Sequence, residues 1–190
     1  MAQRSLTFCA AFLVHHAAQS TLVAHYSFDD GTAAEDSDSS LDGTISGATA
    51  TTGRDGSGAL AFDGTDDYVE FPSAVTVDIL GSNPRSICLW ALIEDFGSSG
   101  GLFDYGTHEN SENFGFRPAD TDGSLKIIIW HHDAEVALSG SDDGDWHHYC
   151  LTYDGSAWVL YFDGSQAATD TLALDTGSKR NLAVGVWSGQ

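Results

Sequence analysis

The Asp-Gly dipeptide occurs eight times in the 190 residues, and this repetition constrains the fold more than any other feature of the sequence. Asp-Gly favours tight turns, because glycine accepts positive φ and the aspartate side chain accepts hydrogen bonds from the backbone that follows it. The segments between these turns are short and rich in β-branched and aromatic residues, which favours antiparallel strands. The dipeptides begin at Asp30, Asp42, Asp55, Asp63, Asp122, Asp143, Asp154 and Asp163.

The sequence predicts an all-β chain. No stretch of about ten residues combines helical periodicity with caps, and only residues 75–80 are predicted to form a turn of helix. Strands linked by short turns, without intervening helices, indicate a sandwich or a barrel. The predicted strands are Leu22–Phe28, Gly43–Ser46, Ala59–Phe62, Tyr68–Phe71, Arg85–Ile93, Gly101–Tyr105, Asn113–Arg117, Leu125–Trp130, Glu135–Leu138, Trp146–Tyr153, Ala157–Phe162 and Asn181–Trp187.

Two of these strands have identifiable faces. Side chains alternate along a strand, so the even-numbered residues of Trp146–Tyr153 share one face and the odd-numbered residues share the other. Both faces of Arg85–Ile93 are apolar, which predicts a central strand covered on both sides. Residues 154–156 are predicted to form the hairpin turn between Trp146–Tyr153 and Ala157–Phe162.

The N-terminus is typical of a secretion signal. Arg4 precedes a short, mainly apolar run from Leu6 to Val14, and residues 18–20 resemble a small-x-small cleavage site. The run is shorter than the ~20 residues that span a bilayer. We therefore expect a signal peptide at 1–20, a single domain at 21–190 and an extracellular location.

Cysteine usage fits that location. Cys9 lies in the predicted signal, which leaves Cys88 and Cys150 in the mature chain. These two either form a disulfide in an oxidising compartment or remain as buried thiols.

The charge of the chain limits its partners. There are 28 acidic residues against 7 Lys and Arg, for a net charge of −21. Such a surface repels nucleic acids, and it disfavours direct binding to anionic membranes unless a cation bridges them. The partners that we expect are a glycan or an extracellular protein.

Residues 58–71 read GALAFDGTDDYVEF and resemble a signature of laminin-G-like jelly rolls in the concanavalin A-like lectin/glucanase superfamily. Residues 22–29, 41–44 and 146–164 resemble further family segments in the same order. The resemblance implies a two-sheet antiparallel jelly roll. No segment resembles the family's final strand, so we expect an incomplete domain, with further domains in a longer chain. An unpaired edge at Leu22–Phe28 would follow, unless Asn181–Trp187 covers it.

A narrower resemblance is to pentraxins. Residues 148–153 read HYCLTY and are similar to a pentraxin signature, and residues 86–89 read SICL and are similar to the strand that holds the partner cysteine. This resemblance implies a Cys88–Cys150 disulfide. The stretch Gly185–Gln190 lacks the carboxylates of the pentraxin calcium site.

The best candidate for a cofactor is calcium, as a structural ion, and no other cofactor is expected. Calcium prefers several oxygen ligands from carboxylates and loop carbonyls. The alternative is that the same aspartates serve only to form turns. The candidate ligands lie in loops typical of the family and are Asp29, Asp36, Asp63, Asp66 and Asp67.

Catalysis is not expected. Glycosidases place two carboxylates across the scissile bond, and the E-x-D-x-E and E-x-D-x-x-E patterns of the resembling glucanases are absent. Adjacent residues on a strand point to opposite faces, so neither the histidine pair at 131–132 nor the pair at 147–148 is expected to hold one metal ion, and we expect packing or surface roles.

The predicted function is a secreted, non-catalytic binding or adhesion module whose ligand is a carbohydrate or a protein. The alternative is an accessory or truncated module of a secreted glycoside hydrolase. A sugar site would need an exposed aromatic platform, for which Tyr105, Trp130 and Trp187 are the candidates by residue type.

Overall fold

The structure is a computed structural model that describes residues 6–16, 21–94, 100–119, 124–129, 131–141 and 143–185. Strands dominate these ranges, and their helical segments are the 3-10 turns Ser39–Leu41, Ser73–Val75 and Val77–Ile79. The last two turns overlap the helical turn predicted at 75–80. Within the described ranges, no helix has the length and apolar character needed to cross a membrane.

The strands form two antiparallel sheets, which confirms the all-β prediction. Sheet A has the order β14-β13-β12-β7-β1-β5-β4, and β2 also pairs with β1. Its strands are β1 (Leu6–His16), β2 (Thr21–Tyr26), β4 (Thr49–Thr52), β5 (Gly58–Phe62), β7 (Arg85–Ile93), β12 (Trp146–Tyr153), β13 (Ala157–Phe162) and β14 (Ser165–Thr171).

Sheet B faces sheet A across the core and has the order β11-β10-β9-β8-β15-β6-β3. Its strands are β3 (Thr44–Ser46), β6 (Tyr68–Glu70), β8 (Phe103–Gly106), β9 (Asn113–Pro118), β10 (Ser124–Ile128), β11 (Ala134–Ala137) and β15 (Arg180–Val184).

The core lies between the sheets and is rich in aromatic rings. Phe103, Phe114 and Phe116 from sheet B are fully buried, as are Tyr149 and Leu151 from β12. Burial of one such side chain stabilises the fold by roughly 1.5–3 kcal/mol. Because burial alternates along β12, its predicted faces are confirmed.

Strand β7 is central, as predicted, but it is covered on one side only. It lies between β12 and β1. Buried and half-buried residues alternate along the whole strand, so Ile87 and Leu89 enter the core while Cys88 and Trp90 are half-buried on the outer face. The expectation of full cover on both faces was wrong, and the outer face of sheet A is partly open.

The turn between β12 and β13 is the predicted hairpin. The Asp154 backbone N–H donates to the Ala157 carbonyl oxygen over 3.1 Å. Gly155 has a φ of 102°, a value that favours glycine. The Asp-Gly dipeptide therefore closes this hairpin by supplying the residue that the turn requires.

Three strands were not predicted. β4 is exposed along its full length and β14 is exposed at all but one residue, so neither carries the apolar alternation by which a strand is recognised. The third is β1, whose residues fall within the predicted signal peptide. It lies between β7 on one side and β2 with β5 on the other.

The edge predicted at Leu22–Phe28 is paired on one side by β1, over residues 12–16. In the part of the chain that the structure describes, β2 has no second partner strand. The described part of the alternative cover, residues 181–185, does not pair with it, because β15 lies in sheet B between β8 and β6. Residues 186 and 187 lie outside the described residues.

A disulfide joins Cys88 and Cys150, as the resemblance implied. The two residues are direct cross-strand partners on β7 and β12, and their Cα atoms are 4.0 Å apart. The alternative of two free thiols was wrong.

Candidate functional site

A groove of about 860 Å³ opens on the outer face of sheet A, where β7 and β12 run side by side. It combines indole and imidazole rings with charged side chains, which is the mixture expected of a ligand site. The residues that line it are Arg54, Trp90, Asp145, Trp146, His147, His148, Asp163 and Gly164.

The aromatic part of the groove comes from strand alternation. Trp90 and His148 are cross-strand partners, and their ring centroids lie 5.2 Å apart. Trp146 precedes His148 by two residues on β12, so it points to the same outer face. All three side chains are half-buried. Their rings therefore remain partly accessible to a ligand.

Arg54 reaches the groove from the turn between β4 and β5. This turn is closed by a 2.7 Å hydrogen bond from the Gly53 backbone N–H to the Ser57 carbonyl oxygen. The Arg54 guanidinium carbon lies 4.1 Å from the centroid of the Trp90 ring, in a cation–π contact. Its Nη2 also lies 2.7 Å from the Asp55 carboxylate.

His147 holds one rim of the groove. Its Nδ1 lies 2.7 Å from an Asp163 carboxylate oxygen, and its Nε2 lies 3.1 Å from an Asp143 carboxylate oxygen. Its ring packs against Phe162 at a centroid distance of 4.8 Å. Burial lowers the pKa of His147, but the two carboxylates outweigh this effect and raise the pKa above its ordinary value. Both ring nitrogens donate when the imidazole is protonated, so this geometry fits the charged form.

Asp163 joins the turn between β13 and β14 to β12. One carboxylate oxygen accepts from the His148 backbone N–H over 2.9 Å, while the other faces His147. Burial acts to raise the pKa of Asp163, but these hydrogen bonds lower it below the ordinary value. Burial also lowers the pKa of His148. The groove thus favours a charged His147 next to a neutral His148.

The sugar-site aromatics predicted from residue type are not the ones that line the groove. Tyr105 is fully buried, its hydroxyl donates to the Ile79 carbonyl oxygen over 3.2 Å, and burial raises its pKa to about 12. It is a core residue, so its prediction as an exposed platform was wrong. Trp130 and Trp187 lie outside the described residues. Strand alternation placed Trp90 on one face of Arg85–Ile93 and Trp146 with His148 on one face of Trp146–Tyr153, but because both faces of the first strand are apolar, the sequence did not indicate which face is outward.

Three of the five predicted calcium ligands come together. Carboxylate oxygens of Asp63, Asp66 and Asp67 lie within 4.8 Å of one another. Hard oxygen donors of this kind fit calcium. Asp29 and Asp36 lie outside this group. The Asp36 carboxylate instead contacts a ring nitrogen of His25.

The same loop also shows the turn-forming alternative. The Asp63 side chain accepts from the Thr65 backbone N–H over 2.8 Å, and the Asp67 side chain accepts from the Asp63 backbone N–H over 2.9 Å. These aspartates therefore stabilise the loop through hydrogen bonds of their own.

A family model described as "Concanavalin A-like lectin/glucanases superfamily" matches residues 63–190. Among curated proteins, none matches the chain. Domain 4 of AbnA, a GH43 extracellular arabinanase from Geobacillus stearothermophilus solved with arabinotriose, has a similar fold. Its TM-score is 0.65 at 20% identity, over 94% of this chain and 86% of that one.

A GH16 endo-glucanase from Bacteroides ovatus superposes more weakly. Its TM-score is 0.24 at 12% identity, over 98% of this chain and 56% of the other. This likeness is too slight to carry an argument about the chain, whereas the arabinanase domain supports the same two-sheet architecture.

Proposed function

Because the chain belongs to the concanavalin A-like lectin/glucanase superfamily, we propose that it is a non-catalytic carbohydrate-binding module whose ligand lies in the groove on sheet A. The observation that carries this proposal is the placement of Trp90 and Trp146 on the outer face of the sheet, beside the charged side chains of Asp145 and Asp163. A sugar presents an apolar ring face and polar hydroxyl groups together, which matches this combination of rings and carboxylates.

The two kinds of side chain have separate tasks. The faces of an indole ring carry partial negative charge, so the C–H bonds on one face of a sugar ring pack favourably against them. The carboxylates accept hydrogen bonds from hydroxyl groups and fix the orientation of the sugar. The structural likeness to an arabinanase domain solved with arabinotriose supports a glycan over a protein as the ligand.

The ionisation of Asp163 argues against a general-acid role for this residue. A glycosidase needs a carboxyl group that remains protonated and can act as the general acid, which requires a raised pKa. The pKa of Asp163 is instead held below its ordinary value by hydrogen bonds from the His148 backbone and from His147. We therefore assign Asp163 a positioning role.

A glycan-binding measurement on purified protein tests the proposal. Trp90→Ala and Trp146→Ala each remove an aromatic face from the groove, and each should weaken binding at least tenfold, because loss of about 1.4 kcal/mol of contact energy corresponds to tenfold in Kd. Tyr68→Ala, a half-buried aromatic on sheet B, is the matched control and should leave binding unchanged. Equal binding by all four proteins would refute the site.

The second candidate is an accessory module of a secreted glycoside hydrolase. The observation that favours it is the fold likeness to the arabinanase domain, which is one domain of an extracellular enzyme. Recovery of coding sequence for a hydrolase domain in the same chain would support this candidate, and the groove would then serve to hold the substrate polymer near the enzyme.

Secretion is part of the proposal, supported by the Cys88–Cys150 disulfide and by the signal-like N-terminus. Cleavage after Ser20 would remove β1, which is the strand that β2 pairs with. N-terminal sequencing of exported protein should begin at Thr21. An exported chain that still carries residues 6–16 would instead show that β1 belongs to the mature sheet.

A further inference from the structure

If the proposed function is correct, the side chains of the groove also indicate which kind of sugar it binds. Trp90 already has a cationic group on its ring, since the Arg54 guanidinium carbon lies 4.1 Å from the ring centroid. A cation over an indole face is a favourable electrostatic contact. We infer that the groove recognises a sugar with a protonated amine, whose ammonium group takes the place of the Arg54 guanidinium over Trp90.

The charges around the groove favour this exchange. The negative charge of Asp163 is balanced by His147, whose Nδ1 lies 2.7 Å from an Asp163 carboxylate oxygen. His147 also contacts the carboxylate of Asp143. Asp145 is exposed, and no described side chain forms a salt bridge or a hydrogen bond with its carboxylate. An ammonium group in the groove would gain this carboxylate as a partner.

Displacement of Arg54 has a small cost. Its side chain is 39% exposed and lies in the turn between β4 and β5. It remains paired with Asp55 at 2.7 Å, so its charge keeps a partner after it leaves the ring. The core does not depend on Arg54, in contrast to Arg85, which is fully buried and contacts Thr176.

The charge of the whole chain points in the same direction. A net charge of −21 attracts cationic ligands and repels anionic ones. Uronic acids and sulfated sugars are therefore disfavoured, while a glucosamine-type sugar gains both the long-range attraction and the local contacts. The same net charge also attracts any cation non-specifically. The test must therefore distinguish binding in the groove from this non-specific attraction.

Isothermal titration calorimetry of the full chain with three β-1,4-linked oligosaccharides of equal length, built from glucosamine, N-acetylglucosamine or glucose, tests the inference. We expect glucosamine to bind about tenfold more tightly than the other two, from the combined cation–π and carboxylate contacts. Equal affinities, or a preference for an uncharged sugar, would overturn the inference and leave the proposed function intact. Absence of binding to these three sugars and to a broad neutral glycan panel would refute the proposed function itself.

Three variants distinguish specific binding in the groove from non-specific attraction by the net charge of the chain. Asp145→Asn should reduce the preference for glucosamine, because only the cation–π contact with Trp90 remains, whereas Asp78→Asn, an exposed acid outside the groove, removes the same charge and should keep the full preference. Arg54→Gln should bind glucosamine more tightly than the parent, because the competing cation is gone. Equal losses in the two aspartate variants, or weaker binding by Arg54→Gln, would overturn the inference. Unchanged circular dichroism spectra confirm that each variant is folded.

Discussion

Two Asp-Gly turns at opposite ends of β13 use the same dipeptide in different ways. At Asp154-Gly155 the carboxylate accepts from Ser156 and from the Ala157 backbone N–H, so all of its partners lie within three residues. At Asp163-Gly164 the carboxylate accepts from His148 and contacts His147, which are 15 and 16 residues away. The first aspartate completes a turn, while the second joins a turn to the groove. The dipeptide alone determines the local turn but not the long-range contact.

The largest expected effect comes from breaking the long-range contact at its histidine. His147→Ala removes the contacts with Asp143 and Asp163, together with the packing against Phe162. We expect the free energy of unfolding to fall by about 2 kcal/mol at pH 6, because hydrogen bonds to charged groups contribute about 1.5–3 kcal/mol. Urea denaturation measures the loss. His132→Ala, at an exposed histidine, is the control and should change stability little.

The same substitution in both turns distinguishes the long-range contact of Asp163 from the local contacts of Asp154. Asp163→Asn removes the charge that faces His147 while leaving an oxygen that can accept from the His148 backbone. It should cost about 1 kcal/mol, since the Asp163 side chain is 45% exposed and solvent weakens the contact. Asp154→Asn should cost less, because its contacts are local and fully exposed. Equal losses in urea denaturation would show that the long-range partner adds nothing.

The two turns should also differ in their dependence on pH. The raised pKa of His147 means that its stabilisation is fully present below the ordinary value of 6.5 and is lost as the pH rises through the folded-state pKa. The lowered pKa values of Asp143 and Asp163 mean that their contributions are present above 3.8 and are lost as the pH falls through the folded-state values.

The stability difference between the parent and His147→Ala should therefore be largest between these two ordinary values and should decline above the upper one. The pKa of Asp154 is also lowered, by hydrogen bonds from Ala157 and Ser156. The difference between the parent and Asp154→Asn should consequently show no change near neutral pH. Thermal melts of the three proteins across the pH range measure both differences. A flat profile for His147→Ala would contradict the charged pairing.

An expected effect no larger than that of Asp163→Asn concerns a third Asp-Gly turn, at Asp63, where Asp66 and Asp67 provide further carboxylates. If this loop binds calcium, calcium at several times its Kd should stabilise the fold by about 1 kcal/mol. Asp66→Asn should remove the shift in melting temperature, while Asp154→Asn should keep it. An equal shift in all of these proteins would indicate that the aspartates act only as turn formers.

The fold was largely predictable because turns and alternation are local properties. The bounds of β7 and β12 were predicted to the residue, and so was the division of β12 into two faces, but the open outer face of β7 was not predicted. Strand β14 was missed because its sequence, SQAATDT, is polar and its residues are exposed at a sheet edge. Such a strand is held by backbone hydrogen bonds to β13, and the pattern of its side chains does not indicate that pairing.

The site was less predictable because its geometry depends on distant pairs. Alternation placed Trp90 and His148 on the outer faces of their strands, but nothing local brings Arg54 over the Trp90 ring. Tyr105 was predicted as a sugar-site residue from its residue type alone. It is instead buried in the core, where its ring packs against Phe114 at a centroid distance of 6.0 Å. Contacts of this kind arise from the packing of the two sheets, which no single segment encodes.

The disulfide between Cys88 and Cys150 has a consequence for the accuracy of strand alignment. The two cysteines face each other in the ladder that also aligns Trp90 with His148 and Leu92 with Trp146. A slip of one residue between these strands would turn every side chain of one of them to the opposite face of the sheet. A covalent cross-link at one rung forbids that slip along the whole ladder. The disulfide therefore fixes the register of the two strands. It keeps the indole ring of Trp90 beside the imidazole ring of His148 when the sheet opens locally.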